Sequence, residues 1–168
     1  MLMGEDREPG GGLDLTVAAI VADRDRFMFV EELAGGRTVI NQPAGHVEPG
    51  EDLRAAVIRE TLEETAWHFS PDAITGIYLW RPEHLGKAYL RVAFSGHCLV
   101  HERERLLDEG IIRVLWLTRQ ELLQRSAQLR SPMVLRAVDD YLHGTRYRCD
   151  LVRELGVPQL LRQAALLD

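Results

Sequence analysis

The sequence is poor in cysteine, in long apolar runs and in positive charge, and each shortage removes a class of protein. Only two cysteines occur in 168 residues, Cys98 and Cys149, far apart in the chain, so no disulfide framework of the kind that staples small secreted folds can form. No apolar stretch is long enough to cross a bilayer, and the first residues have no signal-peptide core. The expectation is a cytoplasmic protein with no membrane partner. Lys and Arg number 20 against 26 Asp and Glu, a formal net charge of −6. A surface of that sign repels a nucleic-acid backbone, so the expected partner is a small molecule, with any phosphate handled at a local site or through bound cations. No internal repeat is present, and oligomeric state leaves no signature.

A zinc site is also short of ligands. Cys98 lies in the apolar run from Val92 to Val100, close to His97 and His101. No second Cys/His pair stands at ligand spacing, and Cys98 reads as a small core residue.

What remains is ordinary for one globular domain: 46% apolar and 27% charged residues, in a chain long enough for one core. Residues 1–12, with a charged run and three glycines in a row, have little to bury and are expected to form a disordered tail. Leu15, Val17, Ala19 and Val21 alternate at strand period, a polar turn follows, and Phe27 to Glu32 returns as a second strand. Thr38-Val39-Ile40 is a short extended run, and Asn41-Gln42-Pro43-Ala44-Gly45 leads into a loop ending at Pro49-Gly50. Two β-rich segments, Ala73 to Arg81 and Lys87 to Val100, follow a helix that ends near Thr65, and Ile111 to Leu117 is a further strand. Thr118 and Glu121 form a capping box. Ser131-Pro132 opens a third helix that Gly144 stops. Strands, a helix, strands and helices in that order predict an α+β fold with a mixed sheet flanked by helices. Residues 13–150 make the domain, and 151–168 an extension whose Leu160, Leu161, Ala164 and Leu167 suit an amphipathic helix after Pro158.

The helix after Asp52 carries the most informative chemistry. On a helical wheel Ala55, Ile58, Leu62, Thr65 and Ala66 share an arc that predicts the core face, and Glu60, Glu63 and Glu64 gather on the other side with Leu53, Ala56 and Val57. Three carboxylates at these spacings raise one another's pKa unless a cation neutralises them. Oxygen-only donors suit Mg²⁺, or Mn²⁺ in its place, rather than zinc. Arg59 is placed to orient one carboxylate by a bidentate pair. Taken alone, the helix reads rather as a solvated acidic face, since Glu-rich helices are common.

The upstream residues decide between the two. Gly45, Glu51, Arg59, Glu60, Glu63 and Glu64 match G-x5-E-x7-R-E-U-x-E-E-x-G-U, with U a bulky apolar residue. The chain thereby resembles the Nudix hydrolases. Thr61 and Ala66 depart from the pattern, and alanine at a left-handed helix cap would cost about 1 kcal/mol. The flanking runs Asn41 to His46, Leu129 to Pro132 and Arg146-Tyr147 are similar to those of a Nudix subfamily that releases terminal phosphate.

The resemblance implies an α/β/α sandwich and Mg²⁺-dependent hydrolysis of nucleoside tri- and diphosphates or of thiamine pyrophosphate-like diphosphates. It implies metal on Glu60, Glu64 and the Gly45 carbonyl, with Glu63 as third ligand or general base. In some relatives the base comes from a later loop, where Glu109 is the candidate here, beside Glu102, Glu104 and Asp108. Gln42, Arg91 and Arg130 are candidates for phosphate contact, Tyr89 and Trp80 for stacking on a ring. His46 reads as a loop-shaping residue. A phosphate-binding regulatory domain without turnover, and a pyrophosphohydrolase of ADP-ribose or RNA 5′ ends, are the alternatives.

Overall fold

A computed structural model describes residues 12–83 and 86–155. Of the tail expected over residues 1–12 only Gly12 is described, its carbonyl accepting the Ala88 N–H, and the helix expected after Pro158 lies outside the described residues.

The strands are β1 (Leu13–Asp23), β2 (Arg26–Ala34), β3 (Arg37–Asn41), β4 (Ala44–His46), β5 (Trp67–Trp80), β6 (Ala88–His101) and β7 (Ile111–Thr118); the helices are α1 (Leu53–Thr65), α2 (Arg119–Gln124) and α3 (Pro132–Leu142). Five strands run in the order β3-β2-β1-β6-β5, with β4 on β1 and β7 on β2. β1 and β6 are parallel and every other pair is antiparallel, so the sheet is mixed, as expected.

Strand alternation builds the two faces. Val17, Ala19 and Val21 of β1, with Val92 and Phe94 of β6, bury against Leu53, Ala56 and Val57 of α1. Ala18, Ile20 and Ala93 point the other way, onto Leu122 of α2 and Val134, Ala137 and Val138 of α3. The result is an α/β/α sandwich of the expected class.

Several local expectations hold at atomic detail. Asp52 caps α1 by accepting the Ala55 N–H at 2.7 Å. Thr118 and Glu121 exchange both bonds of a capping box at 3.1 and 2.8 Å. Ala66 is left-handed at φ 59°, and its N–H donates to the Leu62 carbonyl.

The face of α1 is a correction. Leu53, Ala56, Val57, Thr61, Glu64 and Thr65 are its buried residues, whereas Ile58 and Leu62 are only half-buried. The side that turns toward the sheet is the one bearing Glu60 and Glu64. Thr61 fits there because its hydroxyl donates to the Val57 carbonyl at 2.7 Å. Two strand boundaries also differ. β4 is a three-residue strand inside an expected loop, and β5 starts at Trp67 rather than Ala73. Pro71 is accommodated because β5 is an edge strand with irregular register around it. Past residue 150 the chain still packs on the domain: Val152 lies against the α1-side core, and the Glu154 carboxylate accepts the Leu53 N–H at 2.7 Å.

Candidate active site

β4 and α1 bring the motif together. β4 pairs with β1, Gly45 opposite Val17, and this lays the backbone of residues 44–46 along the acidic face of α1. The fit leaves no room for a side chain: a Cβ at Gly45 would overlap the Glu60 carboxylate. The glycine in the motif is explained by this close approach rather than by a special backbone angle.

Arg59 is the hub of the charged cluster. Its Nε and one terminal nitrogen grip Glu51 in a fork at 2.8 and 2.9 Å. The other terminal nitrogen donates to Glu60 and to Glu63, each at 2.9 Å, and a last N–H reaches the His46 carbonyl at 3.0 Å. All five donors of a guanidinium are thus used. These carboxylates raise the Arg59 pKa further, the Glu51 bonds most. Arg59 is a positioning residue in this structure, setting Glu51, Glu60 and Glu63 around one cation.

Glu64 has no such partner among the described residues. It is buried, and its carboxylate accepts the Ala44 N–H at 2.8 Å. Loss of water pushes its pKa up to about 9, against the Ala44 bond, with Glu32, Glu60 and Asp108 adding repulsion. Burial also raises Glu60, opposed by Arg59 and assisted by Glu63 and Asp108. A buried carboxylate with no ion pair among the described residues, beside a second whose one cationic partner is Arg59, leaves this site short of positive charge.

The donor types fit a hard divalent cation: carboxylate oxygens of Glu60 and Glu64, beside the backbone of Ala44 and Gly45 that packs on them. Among the described residues no group of three or more Asp, Glu, His or Cys side chains converges as a ready-made metal cluster. Glu63 explains part of this, since its carboxylate is turned to Arg59.

The loop between β6 and β7 folds back on α1, where the Asp108 N–H donates to the Glu63 carbonyl at 3.0 Å. It is Asp108, not Glu109, whose charge bears on Glu60 and Glu64. Asp108, Glu109 and Glu104 are all exposed. Glu102 is engaged elsewhere, with His68 at 2.7 Å and Arg105 at 3.1 Å.

Next to β4 a cavity of about 170 Å³ is bordered by Thr16, Glu32, Arg91, Arg130 and Ser131, and by Trp80 and Tyr89. The last two rings stack at 5.6 Å between centroids. Of the residues expected to touch substrate, Arg91, Arg130 and Tyr89 therefore meet at one place. Gln42 does not join them: it is buried, and its amide donates to the Val134 carbonyl at 2.8 Å, tying β3 to α3. Glu32 was not visible in the sequence, where it is one more glutamate in an alternating strand. One of its oxygens accepts from Arg130 at 2.8 Å, and the other is buried without a partner. His46 is exposed and contributes its carbonyl to Arg59.

The imagined zinc ligands are apart in function. His97 pairs with Asp72 at 3.0 Å, His101 stacks on Trp67, and Cys98 is half-buried with its thiol pushed up to about 11.

A model of the NUDIX domain matches residues 12–137. Phosphatase NudJ of Escherichia coli strain K12 is 33% identical over 150 residues, covering 86% of this chain and 93% of its own length. A NUDIX hydrolase structure from Nitrosomonas europaea superposes with a TM-score of 0.82 at 40% identity, over 84% of this chain and 97% of that one. The MutT protein of Methanosarcina mazei Go1, with a TM-score of 0.65 and 19% identity over 83% of this chain and all of its own (100%), shares the fold.

Proposed function

The chain belongs to the Nudix family and is a hydrolase, and from that premise we propose that it cleaves phosphoanhydride bonds with Mg²⁺ held by Glu60 and Glu64. The family generally uses a divalent metal and acts on small phosphorylated substrates. The observation that carries the finer reading is the buried Glu64 carboxylate beside Glu60, in no ion pair with a cationic side chain among the described residues and repelled by three acids.

A divalent cation bound there supplies the positive charge that phosphoanhydride oxygens require during in-line displacement. The protein's own part is positional. Glu60 and Glu64 ligate, with the Gly45 carbonyl as a further donor. Arg59 fixes Glu60 and Glu63 relative to each other, and leaves Glu63 as the third ligand or the base that takes a proton from water. In the loop, Asp108 takes the role that the sequence gives to Glu109. Arg91 and Arg130 meet the phosphates, and Tyr89 with Trp80 offers a flat surface to a ring. The resemblance to the NudJ phosphatase favours orthophosphate release, from nucleoside di- and triphosphates or thiamine pyrophosphate-like diphosphates. The setting proposed is the cytoplasm, in keeping with Cys98 and Cys149 both being free thiols. No helix among the described residues is long and apolar enough to cross a membrane.

A panel of nucleoside tri- and diphosphates, thiamine pyrophosphate and ADP-ribose, assayed with Mg²⁺ and with separate detection of orthophosphate and pyrophosphate, tests this. Orthophosphate from the diphosphates is expected. AMP from ADP-ribose as the preferred reaction would overturn the substrate assignment.

A further inference from the structure

Four residues that border a single cavity each carry a buried side-chain atom without a hydrogen-bond partner: Thr16 at Oγ1, Glu32 at Oε1, Arg91 at Nε and Ser131 at Oγ. Buried polar atoms are rarely left unpaired, and four around one space mark a place built for something polar. Thr16, Arg91 and Ser131 are 4%, 6% and 4% exposed, so none of the three is satisfied by bulk water.

The donors outnumber the acceptors. Arg91 bonds Asn41 at 3.2 Å, and among the described residues no carboxylate lies within ion-pair distance of it. Burial and the nearby Arg130 push its pKa down to about 10, which still leaves it charged at neutral pH. Arg130 is already matched by Glu32 at 2.8 Å, so Arg91 is the unmatched cation of the cavity. Ser131 occupies the N-cap position of α3, yet its hydroxyl makes no capping bond. The positive end of α3, uncapped, borders the same space through Ser131 and Met133. The volume of about 170 Å³ is below the roughly 300 Å³ at which sites for whole drug-sized ligands begin. It suits one tetrahedral oxyanion.

Glu32 narrows the choice. Its free oxygen is an acceptor in a cavity otherwise made for an anion, and an anion satisfies it only by bringing a proton of its own. Monohydrogen phosphate has a P–O–H at neutral pH, whereas sulfate has none.

We propose that this cavity is a seat for a protonated phosphoryl group, gripped by Arg91, Ser131, Thr16 and the start of α3, accepted through its O–H by Glu32, and occupied by orthophosphate without any divalent metal. The proposal rests on the hydrolase reading only in taking the oxyanion to be the phosphate that the reaction handles. It makes orthophosphate a product inhibitor that competes at this seat rather than at Glu60 and Glu64.

The test is a titration of the full chain in EDTA with inorganic phosphate and, separately, sulfate, followed by melting temperature and by the fluorescence of the protein, in which Trp80 lies at the cavity rim. Phosphate is expected to raise the melting temperature and perturb the fluorescence, with sulfate at least about tenfold weaker. Arg91→Met is expected to weaken phosphate at least about tenfold, as befits a charge-assisted contact. Ser131→Ala should weaken it about two- to tenfold while leaving the melting temperature of the unliganded protein unchanged, because no capping bond is lost; this variant decides the matter if Arg91→Met does not fold. Glu32→Gln should erase the preference for phosphate over sulfate. No response to phosphate, equal binding of sulfate, or a response unaltered in Ser131→Ala overturns the seat. A protein that binds phosphate in EDTA but turns over no substrate counts against the hydrolase reading alone. Turnover without phosphate binding counts against the seat alone.

Discussion

At the scale of single residues the site is a conflict between burial and charge, and Glu64 is its centre. Its folded pKa of about 9 stands far above the ordinary glutamate value of 4.5. Between those two values the unfolded chain releases a proton that the folded chain keeps, so the unfolded state binds fewer protons. Stability of the metal-free protein must therefore fall as pH rises through that window. Denaturant melts in EDTA at pH 5.5 and 8.5 should show the loss, and Glu64→Gln should reduce it by more than about 1 kcal/mol. An unchanged slope in the variant would show that Glu64 is not desolvated. Arg59 makes the opposite case, a cation whose five donors are all used. Arg59→Lys keeps the charge and loses the fork, leaving partly buried carboxylates short of donors. A loss of about 2–4 kcal/mol in stability is expected, along with weaker metal binding by calorimetry. Full retention of both would mean that charge alone suffices.

At the scale of elements, α1 ends on an alanine that a glycine usually occupies in this motif. Ala66 is left-handed at φ 59° and buried. Relief of the left-handed strain, about 1 kcal/mol, is offset by the extra freedom that glycine brings to the unfolded chain, about 0.5–1 kcal/mol. Ala66→Gly should therefore change stability by less than about 1 kcal/mol, whereas β-branched Ala66→Val should lose more than about 2 kcal/mol. Equal melts for the two variants would contradict the backbone assignment. This helix also marks the limit of reading structure from sequence. Asp52, Thr118 and Glu121 announced their caps because capping chemistry is local. The buried face of α1 did not, since apolar periodicity favours Ile58 and Leu62 and cannot foresee a face that buries glutamates. β4 has three residues, too few for any period, yet it is the strand that presses Gly45 against Glu60. Glu32 entered the picture only through tertiary contacts, and Gln42 left the site for the same reason.

At the scale of the whole molecule, the sheet order gathers residues from the first strand to the last helix at one end of β1. Thr16, Gly45, Arg91 and Ser131 border one space although they are distant in sequence. The chain past residue 150 takes part as well, through Glu154 on the N-terminus of α1. Glu154→Gln keeps an acceptor and removes the charge facing the helix dipole, so a loss of about 0.3–1 kcal/mol is expected in denaturant melts. The net charge of −6 bears on partner choice: triphosphorylated RNA should fail to compete with a nucleoside diphosphate in a turnover assay, and efficient competition would restore a polymer as substrate. The central claim, that Glu60 and Glu64 hold the metal used in hydrolysis, is tested most directly by a Mg²⁺ titration of orthophosphate release in the unaltered protein and in Glu64→Gln. The account predicts saturable Mg²⁺ dependence in the former, and no Mg²⁺-dependent release from a variant that melts at least as high in EDTA. Equal turnover in the two proteins would contradict it.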